Sequence, residues 1–446
     1  MVKNEKEPVV FTRYDVRGEY PSELDEEFAL KFGKAIGTFA KKTIVVGFDT
    51  RQCSRSLKSA LVAGILSTGV DVIDVGLGPT DKIALAGNHY GADLSVMITA
   101  SHHDWTRNGF KLMYQKGNGF SNEDMAKIKK RFMSSEFRSC MYKNIGLFTD
   151  KSLEFSNVYI SKAIEAFKKY SNKIDATVVV DCCNGGASLT TPILLEKLGA
   201  KVIRVNCKEV PICSVPSEPD MDNKRHLVQI LKKNKADLIV GHDPDADRIF
   251  AYDSLGNWIS GDEIFCILAK IAGAEKIVAS LDTSKMLENY TGSEVIFTRV
   301  GDIFVSKKAI EIGADFCGEP NGHYAFPEFC WYNSGTFCAL VLAAKAKELV
   351  SMRDSIPKYH ILHEKMKFED MGSVQNKMVK IIEMVKSDED NLIISDEDGV
   401  KFDKSGVVCF VRPSGTSPVV RVVCESKDEK KIKKVFDNLM YRIEMI

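Results

Sequence analysis

The stretch ADLIVGHDPDADR, residues 236–248, joins a short apolar run to a loop that holds three aspartates within five positions. The run Leu238-Ile239-Val240 is typical of a buried strand. Carboxylates this close together repel one another, and a hard divalent cation that prefers oxygen ligands removes that repulsion. The stretch therefore predicts a strand followed by a Mg²⁺ site at Asp243, Asp245 and Asp247, with a solvated acidic turn as the alternative.

The ligand types in this loop distinguish between metals. The loop lacks the closing Glu of a calcium-binding EF-hand loop and the His and Cys ligands of a zinc site. A Mg²⁺ ion held by a few carboxylates keeps room for a phosphate oxygen. The loop thus also predicts a phosphorylated substrate or a phosphorylated side chain.

The same strand pattern occurs three times along the chain. First strands are predicted at residues 44–46, 178–180 and 277–279, second strands at 70–73, 200–203 and 293–296, and third strands from the Ala-Asp pairs at 92, 236 and 314. Short apolar runs that alternate with helix-like stretches indicate βαβ units and a mostly parallel sheet. The loops after the third strands are TASHHDWTRNGFKL, HDPDADR and GEPNGHYAFP. Because ligands gather beyond the carboxyl ends of such strands, we expect the three loops to converge on one cleft.

The chain after about residue 366 has a different pattern. Two strand-like runs, 407–411 and 419–424, flank the loop RPSGTSP and indicate a smaller α+β domain. A guanidinium, two hydroxyls and a permissive backbone suit a phosphate, with a plain turn as the alternative; they belong to Arg412, Ser414, Gly415 and Thr416. We expect α/β domains over residues 1–152, 153–254 and 255–365 and an α+β domain over residues 366–446.

Composition predicts a multidomain protein. At 446 residues the chain is too long for one ordinary core, and its 61 basic and 61 acidic residues cancel. This balance gives no reason to expect nucleic acid or an anionic membrane as a partner. No apolar run reaches about 18 residues, and the opening MVKNEKEPVV lacks the apolar core of a signal peptide, so we expect a location in the cytoplasm. The 12 cysteines contain no CxxC pair, so we expect buried free thiols. The oligomeric state stays open.

A second chemically active loop is Thr99-Ala100-Ser101-His102-His103, with Lys111 ten positions after the serine. It offers a nucleophilic hydroxyl and two imidazoles, although a serine in this setting is also a common helix N-cap. No GxSxG motif surrounds it, which disfavours a serine hydrolase. If the aspartate loop faces it, a hydroxyl beside Mg²⁺ becomes a phosphoryl acceptor and donor.

Five motifs in order, YDVRG, TASHHDWTRNGFK, HDPDADR, GEPNGH and RPSGTSP, extend over nearly the whole chain. Together they resemble the α-D-phosphohexomutases, the superfamily of phosphomannomutase, phosphoglucomutase and phosphoglucosamine mutase. The resemblance implies four domains around a central cleft, the fourth with a TATA-binding-protein-like sheet. It also implies an isomerase that interconverts hexose 1- and 6-phosphates through a phosphoserine and a hexose 1,6-bisphosphate, with one Mg²⁺ per chain and the bisphosphate as activator.

The resemblance also assigns roles to residues. Ser101 corresponds to the phosphoserine and would bind Mg²⁺ together with Asp243, Asp245 and Asp247. The implied catalytic residues are Ser101, His102, Lys111 and Arg17, and among the last three the proton carrier stays open. The implied substrate-binding residues are Tyr14, Arg248, Glu319, Asn321, His323, Arg412, Ser414, Gly415 and Thr416.

Some positions depart from the family pattern. The usual Asn-Pro-Pro after the serine and its histidine is replaced by His103-Asp104-Trp105. The loss of two prolines removes backbone restriction, so we expect a looser or differently braced loop. This change motivates the alternative of a non-catalytic sugar-phosphate-binding protein.

Two further questions concern the class of enzyme and its sugar. A dinucleotide-dependent dehydrogenase is disfavoured, because no GxGxxG follows any first strand. YDVRG resembles the phosphomannomutase and phosphoglucomutase branch, whereas GEPNGHY also resembles phosphoglucosamine mutases. We expect mannose and glucose phosphates as substrates.

Overall fold

The computed structural model describes residues 10–12, 14–208, 215–414 and 417–446. Within these residues the strands form four sheets of six, five, four and five strands. None of the described helices combines the length and the apolar character that a bilayer crossing requires. Of the eleven cysteines in the described ranges, eight are buried, in agreement with their use as small apolar side chains. Two predicted phosphate ligands, Gly415 and Thr416, lie outside the described residues.

The first unit contains a six-stranded sheet. Its strands are β1 (Asp15–Glu19), β2 (Thr43–Phe48), β3 (Asp71–Leu77), β4 (Leu94–Ile98), β5 (Arg107–Tyr114) and β6 (Phe148–Asp150). They lie in the order β1-β5-β4-β2-β3-β6. The helices of this unit are α1 (Glu26–Phe39), α2 (Ser54–Leu66), α3 (Thr80–Tyr90) and α4 (Asn122–Ser134).

The second unit has a five-stranded sheet. Its strands are β7 (Thr177–Asp181), β8 (Lys201–Val205), β9 (Leu238–Gly241), β10 (Phe250–Tyr252) and β11 (Trp258–Ile259). They lie in the order β11-β10-β9-β7-β8. The helices are α5 (Ser152–Phe167), α6 (Thr191–Lys197), α7 (Met221–Lys224) and α8 (Leu227–Asn234).

The third unit has a four-stranded sheet. Its strands are β12 (Lys276–Ser280), β13 (Glu294–Thr298), β14 (Phe316–Glu319) and β15 (His323–Ala325), in the order β13-β12-β14-β15. The helices are α9 (Gly261–Ala272), α10 (Met286–Thr291), α11 (Asp302–Ile312), α12 (Gly335–Ala344) and α13 (Leu349–Asp354).

The fourth unit has a five-stranded antiparallel sheet and two helices, which confirms the predicted α+β class. Its strands are β16 (His360–Lys367), β17 (Asn391–Ser395), β18 (Val400–Lys404), β19 (Val407–Pro413) and β20 (Val419–Ser426), in the order β16-β20-β19-β18-β17. The helices are α14 (Met371–Lys386) and α15 (Glu429–Met445). Short 3₁₀ turns in the chain are Tyr142–Asn144, Gly186–Leu189 and Ala346–Glu348.

The three predicted repeats are confirmed as one shared topology. In each sheet the third strand pairs in parallel with the first, and the first with the second. The chain after each third strand returns as an antiparallel neighbour. The repeated aspartates Asp93, Asp237 and Asp315 accept hydrogen bonds from N–H groups at the start of each first strand, at 2.6, 2.7 and 2.9 Å. These bonds align each third strand, which leads directly into one of the three loops, with the first strand of the same sheet.

The predicted domain boundaries stay a prediction, and two strands extend across them. β11 pairs with β10, so the second sheet continues past residue 254. β16 pairs along its whole length with β20, so the fourth sheet begins at His360 and not at residue 366. β11 has only two residues and β16 is mostly exposed, so neither strand has an apolar pattern that would have predicted its pairing.

Apolar packing joins the first three units and leaves the fourth with its own core. The largest cluster includes Val45, Val180 and Phe316, one from each of the three sheets. Helix α12 is buried over nine of its ten residues and lies within this cluster. The core of the fourth unit contains only residues from that unit. The first three units therefore form one continuous frame for the site.

We expect Phe32→Ala to lower the free energy of unfolding by about 3–5 kcal/mol, because it leaves a cavity in a packed core. The Phe32 side chain is fully buried and stacks on Phe110 at 5.1 Å between ring centroids. Denaturant unfolding followed by tryptophan fluorescence measures the change. Phe148→Ala is the matched control, since half of that side chain is exposed. Equal effects of the two variants would contradict this account of the core.

Candidate active site

The serine loop and the aspartate loop meet, as the sequence predicts. Ser101 lies just after β4, and its Oγ donates a hydrogen bond to Asp243 Oδ2, just after β9, at 2.7 Å. The Ser101 side chain is buried, and its φ of 51° lies in the left-handed region, which is uncommon for a residue other than glycine. A hydroxyl and a carboxylate 142 residues apart in the chain thus share one pocket.

The three aspartates fit an oxygen-preferring cation. One carboxylate oxygen from each of Asp243, Asp245 and Asp247 lies within 4.8 Å of the others, and all three residues are buried. Asp245 Oδ1 is buried and has no hydrogen-bond partner among the described residues. Burial raises the pKa of Asp243 well above its ordinary value, and the charges of Asp245 and Asp247 raise it further. A bound cation would satisfy the free oxygen and relieve this crowding.

Two neighbours hold the aspartates in place. Lys111 on β5 donates to Asp245 at 2.8 Å and to Asp247 at 2.5 Å. Burial opposes the charge on Lys111, but the two carboxylates outweigh it and raise the Lys111 pKa well above its ordinary value. Thr80, at the start of α3, donates its hydroxyl to Asp245 at 2.9 Å. The first unit therefore contacts the aspartate loop from two sides.

The GEPNGH loop of the third unit also reaches the aspartates. His323 Nε2 lies 3.2 Å from Asp247 Oδ1, and its Nδ1 lies 3.5 Å from Glu319 Oε2. Burial opposes protonation, yet Asp247 raises the pKa of His323 to about 10. Asn321 accepts from the His323 N–H at 3.2 Å, and Arg248 Nε lies 3.4 Å from His323 Nε2. The predicted convergence of the three loops is present in the structure.

His102 is the nearest imidazole to the serine hydroxyl. Its Nδ1 lies 3.2 Å from Ser101 Oγ, and its Nε2 lies 3.6 Å from Glu218 Oε2. Burial lowers the pKa of His102 to about 2, and the neighbouring Arg248 charge contributes to the same direction. Glu218 also lies 3.4 Å from Arg248 Nη1. Glu218, which contacts both His102 and Arg248, lies outside every sequence motif of the predicted site.

Two cavities lie beside the serine loop: Ser101 lines one of them, and His102 and His103 line the other. The smaller, about 130 Å³, is lined by Ser101, Lys111, Asp247, Arg248, His323 and Tyr332 among others. The larger, about 430 Å³, extends to the fourth unit and is lined by His102, Arg299, Asp398, Arg412 and Ser414 among others. Tyr14 and Arg17 line both cavities. Each predicted residue of the described ranges therefore lies at these cavities or in direct contact with their walls.

The guanidinium groups at the cleft differ in their partners. Arg17 Nε donates to Asp15 at 2.6 Å, and its Nη1 lies 3.0 Å from His103 Nδ1. Arg412 lies 3.5 Å from Asp282 and 3.8 Å from Asp398. These longer separations leave Arg412 weakly paired beside the larger cavity, where an anion would compete for it.

Two further residues at the cleft come from a loop that the sequence reasoning missed. Arg299 and Asp302 follow β13, the second strand of the third repeat. Arg299 Nε is buried with no hydrogen-bond partner among the described residues, and burial raises the pKa of Asp302. Their place in the chain could have indicated them. The second strand of a parallel sheet ends at the same edge as the third strand, so the residues that follow it also reach the cleft.

A serine, three aspartates and several arginines from three α/β units and one α+β unit line one cleft. This arrangement defines a multidomain protein with a candidate phosphoryl-transfer site. Family models match the chain in four consecutive segments. They are described as phosphoglucomutase/phosphomannomutase alpha/beta/alpha domains I, II and III, over residues 8–139, 157–256 and 260–359, and the C-terminal domain, over residues 362–441. The chain belongs to the phosphoglucomutase/phosphomannomutase family, within the phosphohexomutase superfamily of isomerases.

Relatives of similar length support this membership. A "Phosphoglucomutase/phosphomannomutase" of Thermococcus kodakarensis is 34% identical, over 96% of this chain and 97% of its own length. A "Probable phosphoglucosamine mutase" of Thermococcus gammatolerans is 35% identical, over 95% of each chain. The names of such relatives therefore include more than one sugar.

Solved structures share the fold. A phosphoglucomutase/phosphomannomutase family protein of Burkholderia thailandensis matches with a TM-score of 0.83 at 21% identity, over 98% of this chain and 97% of that one. An N-acetylphosphoglucosamine mutase of Aspergillus fumigatus, in complex with GlcNAc-6P and magnesium, matches with a TM-score of 0.60 at 15% identity, over 97% of this chain and 95% of that one. At these identities the likeness shows the architecture alone.

Proposed function

We propose that the protein interconverts hexose 1-phosphates and hexose 6-phosphates through a phosphoserine at Ser101 and a hexose 1,6-bisphosphate intermediate. The observation that carries the proposal is the contact between Ser101 Oγ and the buried aspartate trio. We further propose one Mg²⁺ per chain at Asp243, Asp245, Asp247 and the Ser101 phosphate, and the bisphosphate as activator. When bound, the ion would neutralise charge on the phosphoryl oxygens.

Residues of the chain would position the reacting groups, carry the proton and stabilise the phosphoryl oxygens. A sugar hydroxyl oxygen forms a bond to the phosphorus while the bond from phosphorus to Ser101 Oγ breaks, and the hydroxyl proton leaves. His102 is the imidazole nearest to Ser101 Oγ, and we propose that it accepts and returns this proton once the negative charge of the bound phosphates raises its pKa from the low value that burial and Arg248 set. Lys111 and Arg17 would stabilise the phosphoryl oxygens from the cavity wall. Their positions are fixed by β5 and β1.

The second phosphate of the bisphosphate needs its own anchor. We propose Arg412, Ser414 and Arg299, which line the larger cavity together, with Gly415 and Thr416 from the sequence motif. Tyr14, Arg248, Glu319, Asn321 and His323 would contact the sugar. An anchor that holds either phosphate lets the sugar bind in two orientations and lets one serine serve both of its ends.

For the sugar, we propose mannose and glucose phosphates, which the YDVRG motif and the Thermococcus kodakarensis relative support. Glucosamine phosphate is the second candidate. The name of the Thermococcus gammatolerans relative favours it, and so do the carboxylates of Asp302, which lines the smaller cavity, and of the buried Glu319 beside it, which would attract a C2 ammonium. Values of kcat/KM for mannose, glucose and glucosamine 1-phosphates, with Mg²⁺ and glucose 1,6-bisphosphate present, decide between them. Absence of activity with all three would refute the proposed function.

We expect Glu319→Gln to lower kcat/KM about 10- to 100-fold, since a charged acceptor of sugar hydroxyl hydrogens is lost. Glu319 is buried, and one of its oxygens already accepts from the Gly301 N–H at 2.7 Å. Steady-state kinetics with the preferred sugar phosphate measure the effect. Glu311→Gln, on the exposed face of α11, is the matched control and should leave kcat/KM unchanged. A change of less than about threefold in Glu319→Gln would contradict a sugar contact.

A further inference from the structure

The backbone of Ser101 is held in a conformation that it would rarely adopt by itself. Its φ of 51° is in the left-handed region, where a side chain at Cβ carries a steric cost. Such conformations persist when the surrounding structure fixes them from several directions. The groups that hold the Ser101 backbone in this conformation therefore also determine where its hydroxyl lies.

One buried guanidinium binds four backbone carbonyls between Ser101 and Arg107. Arg51 Nη2 donates to the carbonyls of Ser101 and His103 at 2.6 and 2.8 Å. Its Nη1 donates to the carbonyls of Asp104 and Arg107 at 2.7 and 2.9 Å. The Arg51 side chain is fully buried, and its Nε pairs with Asp49 at 3.2 Å. All five N–H donors of the guanidinium are thus in use.

The same cluster also holds the N–H of Ser101. That N–H donates to Thr99 Oγ1 at 2.8 Å, and the Thr99 hydroxyl donates to Asp49 Oδ2 at 2.8 Å. Asp49 in turn pairs with Arg51, which binds the Ser101 carbonyl. The peptide groups on both sides of the serine are therefore tied to one buried ion pair.

The residues that replace the usual Asn-Pro-Pro contribute to this arrangement. The Trp105 ring lies over the Arg51 guanidinium, with 4.9 Å between the ring centroid and Arg51 Cζ. Trp105 Nε1 donates to the Val215 carbonyl at 2.8 Å. Ser217 Oγ donates to the His102 carbonyl at 2.6 Å. The expected alternative bracing is present: side-chain contacts restrict the loop where prolines are lacking.

We propose that Arg51, covered by Trp105, is a positioning residue that holds Ser101 in register with the aspartate trio for phosphoryl transfer. This inference rests on the proposed function. Arg51 touches neither of the two cavities, so it acts through the backbone of the serine loop. Misplacement of a reacting group by about 1 Å can cost about 100-fold in rate, which is the effect expected here.

The test compares Arg51→Lys with the unaltered protein. Lysine keeps the charge but cannot reach four carbonyls at once. The proteins are phosphorylated by incubation with glucose 1,6-bisphosphate, and single-turnover transfer from Ser101 to the preferred hexose phosphate is followed. We expect the transfer rate to fall about 100-fold or more, while KM changes less than about threefold. A purely structural role would lower the amount of folded enzyme and leave the rate per folded molecule unchanged.

Arg138→Lys is the matched control. Arg138 belongs to the same unit and also donates to backbone carbonyls, those of Thr68, Gly37 and Ala40, away from both cavities. We expect its transfer rate to equal that of the unaltered protein. If Arg51→Lys and Arg138→Lys have the same rate, the proposal is overturned.

A second pair of variants covers the case in which Arg51→Lys does not fold. Trp105→Leu removes the ring over the guanidinium, and we expect transfer to slow about 3- to 30-fold. Trp105→Phe restores a ring, and its rate should return to within about threefold of the unaltered protein. Equal rates for the leucine and phenylalanine variants would overturn the role of Trp105 as a cover.

Hydrogen exchange separates this inference from the proposed function. Exchange of peptides that cover residues 99–107 should be about tenfold faster or more in Arg51→Lys without any substrate. If the unaltered protein carries no phosphoserine and isomerises no hexose phosphate, the proposed function fails, while faster exchange still supports the hold of Arg51 on the loop. Unchanged exchange in the variant would refute that hold whatever the activity.

Discussion

Ser101→Ala should lower mutase activity by at least about 10⁴-fold and remove the covalent phosphate from the purified protein. Loss of a nucleophile removes the covalent route itself, which is why the expected effect is this large. Alanine also removes the hydrogen bond to Asp243, while the buried backbone contacts of the loop remain. Steady-state kinetics and intact-mass analysis measure the two changes.

Ser121→Ala is the matched control for this prediction. Ser121 caps α4 in the same unit and accepts from the Asp124 N–H at 3.2 Å. Its loss should cost stability of about 1 kcal/mol and leave both activity and phosphate content unchanged. A phosphate that persists in Ser101→Ala would place the covalent intermediate on another residue and refute the proposed mechanism.

Asp243→Asn should abolish stabilisation by Mg²⁺ and lower kcat by about 10³-fold or more. Asp243 is the aspartate that contacts Ser101, and its pKa is raised by burial and further by the like charges of Asp245 and Asp247. In the metal-free protein the substitution removes repulsion, so the thermal midpoint should stay equal or rise. Added Mg²⁺ should then raise the midpoint of the unaltered protein and leave that of the variant unchanged.

Thermal unfolding with and without Mg²⁺, after chelation, measures this difference. Asp175→Asn, an exposed aspartate that pairs with Lys347 at 2.8 Å, is the control and should respond to Mg²⁺ like the unaltered protein. Equal stabilisation of Asp243→Asn and the unaltered protein by Mg²⁺ would show that the aspartate trio is not the metal site. A loss of activity together with a full response to the metal would instead restrict Asp243 to the serine hydroxyl.

Local patterns predicted those parts of the fold that depend on neighbours in sequence. The three sets of parallel strands are each apolar, short and bounded by turns, and the structure has all nine of them. By contrast, the strands His360–Lys367 and Asn391–Ser395 are mostly exposed, and neither shows a buried face. Their place in the fourth sheet depends on partners elsewhere in the chain, so no local pattern indicated it.

The candidate site also contains residues that the sequence indicated and residues that it did not. Asp243, Asp245 and Asp247 lie within five positions of the sequence, so their combined negative charge was visible without any structure. Arg51 was not visible, because the carbonyls that it binds lie 50 to 56 positions away. Backbone carbonyls carry no sequence signature, since every residue has one.

The sequence by itself determined the repeated α/β units, the acidic loop and the order of the motifs, because periodicity and local charge act over a few residues. Only the tertiary structure decided that Ser101 Oγ lies 2.7 Å from Asp243 and that one ion pair holds the serine backbone. The first contact joins strand ends from different sheets, and its distance follows from how the units pack on a common core. The second joins the ends of two neighbouring strands of the first sheet, β2 and β4, which are about 50 residues apart in the chain. Packing between units is a long-range property, which the residues of any single loop do not specify.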